Sequence, residues 1–318
     1  MKRVAILAGL LLLEIVLFSA VSGNATLSPK YLGSYFADLL AQAAPTLLAA
    51  FGMTIILMTG GIDLSIGSAV ALISCVMSCF PSGPAFWWTA LPAGLAAGLL
   101  AGGLNGLLVA RLDIPPVIAT LGTMILFRGL CFVIMGDLER SPFLAVAGYD
   151  WLGHLEGALA LVIGVYAVGG TYFAHSIWQR HILMIGGNRT AARYAAIPVE
   201  KRLWQSYGLM GAVAFLAALT FTGRYGSVSA SSLTGFELQV IVAVVLGGTK
   251  VQGGSGTLVG TVFGVLFVAV MDEGLRGAAV WGNEHLPFRV NHLKYVLLGL
   301  LLVGGVALNS LLARGRRV

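Results

Sequence analysis

An all-α, polytopic membrane protein of about ten transmembrane helices, some broken or short and with both termini cytoplasmic, is the fold class that three observations predict. Of 318 residues, 58% are hydrophobic and 10% charged, where a soluble domain carries about 25% charged residues. Mean hydropathy is +0.91, and apolar runs approaching the roughly 20 residues needed to cross a bilayer follow one another along the chain. Lys and Arg collect on alternate connecting segments, which orients the spans. These features exclude a soluble enzyme and leave residues 1–318 as a single transmembrane domain with one long inner segment, 178–202.

Taken in order, the candidate spans are 4–21, 38–59, 66–80, 88–110, 117–135, 155–174, 203–222, 236–247, 257–272 and 293–311. The first follows Lys2 and Arg3 and precedes the small residues Ser19, Ala20, Ser22 and Gly23, as a signal peptide does. Glu14 interrupts its apolar centre, so it is read as an uncleaved anchor. The runs 66–80, 236–247 and 257–272 are short for a full crossing and adjoin Gly-rich breaks, the pattern of broken helices in transporters. The 43 glycines are near twice the usual share of about 7% and follow no period; in membranes, small residues allow close helix approach. Cys75, Cys79 and Cys131 fall in apolar spans and read as buried, inert thiols. The histidines at 154, 175, 181, 285 and 292 offer no pair at metal-ligand spacing.

With the N-terminus inside, twelve of the nineteen basic residues face inward: Lys2, Arg3, Arg111, Arg180, Arg189, Arg193, Lys201, Arg202, Lys250, Arg314, Arg316 and Arg317. Lys30, Arg140, Arg224, Arg276, Arg289 and Lys294 face outward, and Arg128 lies within a span. The net charge of +6 is therefore a membrane signature. A nucleic-acid partner is excluded, because no contiguous basic surface interleaved with aromatics exists beyond 178–202.

Within 178–202, Asn188 is placed to cap a helix through Thr190, Ala191, Ala192 and Arg193. That helix must end before Pro198, since the residue before proline is driven out of helical geometry. About two turns of Ala-rich helix are too short to stand alone. Small side chains suit insertion into a groove of another protein; a solvated connector is the alternative.

In Thr59-Gly-Gly-Ile-Asp-Leu-Ser-Ile-Gly-Ser68 a carboxylate interrupts apolar sequence. Asp63 either caps the following helix, the favoured reading, or meets solute or ion in a cavity. The spacing of Gly60-Gly61 to Gly67-Ser68 recurs as Gly247-Gly248 to Gly254-Ser255, a hint of duplication that abundant glycine also produces by chance. Gly248-Thr249-Lys250 has the wrong spacing for a phosphate loop, so the chain carries no ATPase motif of that kind. Candidates for a solute path are Asp63, Ser65 and the polar residues inside spans, Gln42, Thr54, Asn105, Thr120, Thr123 and Arg128. For most of these a hydrogen bond to a neighbouring helix is the simpler role.

Three stretches, in order, resemble the permease subunits of carbohydrate-type ABC importers, the family of the ribose, arabinose, xylose, rhamnose and autoinducer-2 systems. They are 59–68, Ile185-Gly-Gly-Asn188 with Ala191-Ala-Arg-Tyr-Ala-Ala-Ile197, and Val244-Val-Leu-Gly-Gly-Thr249 with Gly253-Gly-Ser-Gly-Thr257. The resemblance implies a multi-pass subunit of the bacterial inner membrane that pairs with a second copy or a paralogue. It implies ABC ATPase subunits below, holding the ATP-Mg, and a periplasmic solute-binding protein above. The chain itself then binds no cofactor or metal and is not an enzyme. Gly186, Gly187, Asn188, Ala191, Ala192, Arg193, Ala196 and Ile197 fall on the family's ATPase-coupling segment; Ala196 replaces a frequent glycine, a change expected to matter little because both are small. The competing reading is an ion-coupled secondary transporter of a small polar solute, using Asp63 or Glu14.

Overall fold

The structure, a computed structural model, describes residues 29–285 and 293–314 together with Gly9 and Leu12. Apart from those two positions, the expected span 4–21 with Glu14 lies outside the described residues, as do Lys2, Arg3, Arg289, His292, Arg316 and Arg317. All regular elements among the described residues are helical.

Helix α1 (Pro29–Met58) forms the centre, because its apolar residues continue all round and nearly all of them are buried within the chain. After a non-helical stretch comes α2 (Ile66–Ser78), about 20 Å long at helical rise and so shorter than the hydrocarbon core. Helix α3 (Phe86–Gly106) runs on through a π-helical turn, Leu107–Arg111. Helix α4 (Pro116–Met135) opens with proline, whose missing N–H has no role at that position. Helix α5 (Leu155–Gly164) passes through a second π-turn, Val165–Gly169, into α6 (Gly170–His175). Then follow α7 (Ile177–Gly187), α8 (Arg189–Tyr194), α9 (Val199–Tyr225), α10 (Phe236–Leu246), α11 (Leu258–His285) and α12 (Leu293–Arg314).

Six described helical segments are long and apolar enough to span a membrane: Gly33–Met58, Phe86–Arg111, Pro116–Met135, Leu155–His175, Val199–Tyr225 and Leu258–Arg276. Ile66–Ser78, Phe236–Leu246 and Leu293–Gly305 are shorter apolar helices. The runs 66–80 and 236–247 are short, as expected, but 257–272 is not, since α11 has 28 residues. Asp272 lies 2.8 Å from both Arg276 and Lys294. With its charge paired, the helix continues through residues that read in sequence as a boundary.

Helices α3 and α9 cross at glycines. A Cβ on Gly211 would strike the Gly98 carbonyl, and one on Gly102 the Tyr207 carbonyl, so the backbones touch where no side chain intervenes. The end of the bundle away from α8 is closed by polar and aromatic contacts. Arg140 and Val228 exchange backbone hydrogen bonds of 3.0 and 2.9 Å, and Phe86, Phe143 and Tyr149 pack ring against ring. Cys75 and Cys131 are buried, whereas Cys79 is exposed at this end, its Sγ 3.5 Å from Arg140. It stands just past the last turn of α2, where burial ends.

Candidate functional site

The segment 177–202 begins with a helix that the sequence reading did not separate. Helix α7 is capped by Ser176, whose Oγ accepts from Gln179 N at 3.3 Å; Ser176-x-x-Gln179 is the start signal that marks it. Asn188 ends α7 and caps α8, its Oδ1 accepting from Ala191 N at 2.9 Å. Helix α8 has six residues, shorter than the two turns expected, and closes with paired bonds, Ala196 N to Arg193 O at 3.0 Å and Ile197 N to Ala192 O at 3.1 Å. This terminus requires a left-handed residue, and Ala196 supplies it at φ +57°. The alanine is therefore not equivalent to glycine here: an L-residue in that conformation costs about 1 kcal/mol that glycine does not.

The two sides of α8 differ in kind. Ala192 is 1% exposed and packs with Ala110, Ile185, Ile197, Val199 and Leu203 in a small core of its own. Gly187, Asn188, Ala191, Arg193 and Ala196 are exposed, and Tyr194 is 89% exposed. A bulky residue at 192 would thus disturb this chain's interior, whereas one at 191 would alter only the outer surface. Ion pairs at 3.0 Å, Arg189 with Asp113 and Arg193 with Glu200, brace the segment laterally. Arg202 Nε donates to His181 Nδ1 at 3.1 Å. Desolvation, with the Arg202 and Arg180 charges beside it, holds His181 below its ordinary pKa and keeps it the neutral acceptor.

Glycines connect this segment to the central helix. A Cβ on Gly186 would fall on Met58 O and Gly254 N, and one on Gly253 on Gly60 N and the Gly186 backbone. Gly254 N donates to Met58 O at 3.0 Å. The end of α1, the end of α7 and the loop between α10 and α11 therefore meet backbone to backbone, and the two Gly-Gly repeats of the sequence lie in contact.

Of the path candidates, five form one buried chain of hydrogen bonds. Asp63 Oδ1 accepts from Ser65 N at 2.8 Å and Ser65 Oγ at 2.6 Å. Ser65 Oγ accepts from Asn105 Nδ2 at 2.8 Å, and Asn105 Oδ1 accepts from Thr123 Oγ1 at 2.7 Å. Thr120 Oγ1 reaches the carbonyls of Ile62 and Pro116 at 3.0 and 2.8 Å. All five are at most 3% exposed. Asp63 does not cap α2, as the sequence reading favoured; it closes a turn onto Ser65, whose own side chain makes no cap bond. The chain ties the break before α2 to α3 and α4.

The other candidates stand apart. Thr54 on α1 pairs with Thr261 on α11, Oγ1 to Oγ1 at 2.6 Å. Gln42 lines a cavity of about 20 Å³ with Thr46, Gln239 and Asp272. Arg128 donates to the carbonyls of Ala230 and Ser232 at 2.6 and 2.7 Å, the simple hydrogen-bonding role.

Comparison with known proteins adds three findings. The family model described as "Branched-chain amino acid transport system / permease component" matches residues 35–306. The chain is 34% identical to the ribose import permease protein RbsC of Escherichia coli (strain K12), over 87% of this chain and 86% of that one. It is 31% identical to the autoinducer 2 import system permease protein LsrC of Klebsiella pneumoniae, over 92% and 84%, and 29% identical to LsrD of Photorhabdus luminescens, over 86% and 84%. No solved structure matches.

Proposed function

Since the chain belongs to the branched-chain amino acid transport system / permease component family, we propose that it lines, with a second copy or a paralogue, the membrane path of a bacterial inner-membrane ABC importer. Its solute is a sugar or sugar-like molecule of the class named by the relatives, ribose or autoinducer 2. Residues 1–318 act as one permease domain with both termini cytoplasmic. ATP-Mg is bound and hydrolysed by separate ATPase subunits, and a periplasmic binding protein delivers the solute. The relatives give no support to the ion-coupled alternative, and Asp63 is already engaged by Ser65.

The observation that carries this reading is a six-residue helix clamped on its inner side by Ala192 and Ile197 while Asn188, Ala191, Arg193 and Tyr194 stand outward. Such a helix moves as a rigid body with whatever grips it. Gly186 then passes the displacement to Met58 and Gly254 without an intervening flexible side chain. Coupling arises because the two conformations of the path bind the nucleotide-loaded ATPases with different free energies.

The test is copurification and reconstituted uptake. Wild-type chain retains an ATPase and drives ATP-dependent uptake of ribose or autoinducer 2. Ala191→Trp inserts normally but loses both. Uptake that persists without ATP and collapses with an ion gradient would refute the assignment.

A further inference from the structure

On the outer face of α3 and α9 lies a groove of about 470 Å³ whose lining includes Leu99, Gly103, Tyr172, Trp178, Trp204 and Arg202. Trp204 is shared with an adjoining cavity of about 300 Å³ beside Arg111, Lys201 and Glu200. Gly103 and Gly208 keep the groove open, since a Cβ on either would meet nothing within 4 Å. Leu99 lies twelve residues from Arg111, about 18 Å along the helix axis, so the groove runs from the cationic end of the bundle into its apolar depth.

The charge at its mouth is unbalanced. Arg111, Lys201 and Arg202 have no ion-pair partner among the described residues, while Glu200 is taken by Arg193. Arg202 donates Nε to His181 and Nη1 to Gln205 at 3.0 Å, which fixes the guanidinium and leaves Nη2 with no partner among the described residues. The Trp178 ring also lines the groove, with its indole N–H buried and without an acceptor among the described residues. Aromatic rings with a polar edge, a cationic rim and an open apolar trough form the arrangement that holds a lipid at the bilayer boundary.

We propose that this groove binds an anionic phospholipid, with the phosphate at Arg202 and Lys201 and one acyl chain along Leu99, Gly103 and Gly208. The site lies on the cytoplasmic side on the topology proposed above, but occupancy requires no ATPase or solute. A lipid is favoured over a cytoplasmic protein partner because Leu99 and Gly103 lie twelve and eight residues inside the span that ends at Arg111, a depth that a subunit below the membrane does not reach.

Native mass spectrometry of the delipidated full chain, titrated with phosphatidylglycerol and phosphatidylcholine of the same acyl chains, tests this. Wild type is expected to retain phosphatidylglycerol about five-fold over phosphatidylcholine, the ratio one basic residue gives at an anionic surface. Arg202→Gln should remove the preference, and Gly208→Leu, which fills the trough without touching charge, should reduce retention of both lipids. Arg140→Gln, at the other end of the bundle, should leave both unchanged. Equal retention by wild type, or a preference that survives both groove variants, overturns the proposal. So does an Arg202→Gln chain that loses the ATPase but keeps its lipid preference; loss of ATPase binding alone bears on the importer reading instead.

Discussion

The two Gly-Gly breaks share a spacing and differ in how they are held. In the first, 59–65, side chains do the fastening: Asp63, Ser65, Asn105 and Thr123 form a continuous chain from the loop to α3 and α4. In the second, 247–257, the bonds are mainly backbone, Lys250 N to Ser255 O and Gly253 N to Lys250 O at 3.1 Å, and Gly254 N to Met58 O at 3.0 Å. Thr249 Oγ1 is buried there with no partner among the described residues. Glycine spacing thus sets where the chain breaks, while the polar residues between the glycines decide whether the break is pinned to its neighbours. In the second break, which meets the segment 177–202 at Gly186, the only side-chain bond made by 247–257 among the described residues is local, Thr257 Oγ1 accepting from Gly260 N at 3.1 Å.

The largest effect should come from the point where the two breaks meet. Gly186→Ala places a methyl against Met58 O and Gly254 N, and overpacking against backbone should lower stability by about 3 kcal/mol. Thermal unfolding in detergent measures this, and an unchanged midpoint would mean the contact is looser than described. Next comes the pinned break. Asn105→Leu removes two buried bonds, to Ser65 and from Thr123, leaving these only Asp63 and the Thr120 carbonyl, and should cost about 2 kcal/mol, whereas Lys250→Met in the backbone-held break should be nearly silent; equal losses would erase the contrast. Ala196→Gly should stabilise by about 1 kcal/mol, since φ is +57°. The smallest effect is a pH slope. His181 is held below the usual imidazole value of about 6.5, so the unfolded chain takes up the proton first and stability falls as pH drops through that value. His181→Gln should flatten the slope, read as the unfolding midpoint against pH.

Much of this was legible in the sequence because membrane helices announce themselves by length and hydropathy. The Asn188 cap and the stop before Pro198 were readable too, being local chemistry. What was not readable depended on distant partners. Asp272 marks a boundary until Lys294 is seen beside it. The pairing of Asn105 with Ser65 spans forty positions, and no periodicity within either helix encodes it. Ala196 shows the limit most plainly: its size is visible in sequence, but its backbone angle is set by the bonds of Ala196 and Ile197 to the preceding turn.

The buried side of α8 has an evolutionary corollary. Ala192 and Ile197 belong to a core shared with Ala110, Val199 and Leu203, so the helix is not a detachable peptide, and a synthetic copy of 188–197 should compete poorly for the ATPase proposed above. If α8 is the ATPase contact proposed above, a change of partner requires only outward residues to vary, Ala191, Arg193 and Tyr194 among them. On the proposed coupling role, a chimera that swaps these three and keeps Ala192 and Ile197 folds as before and answers to a different motor.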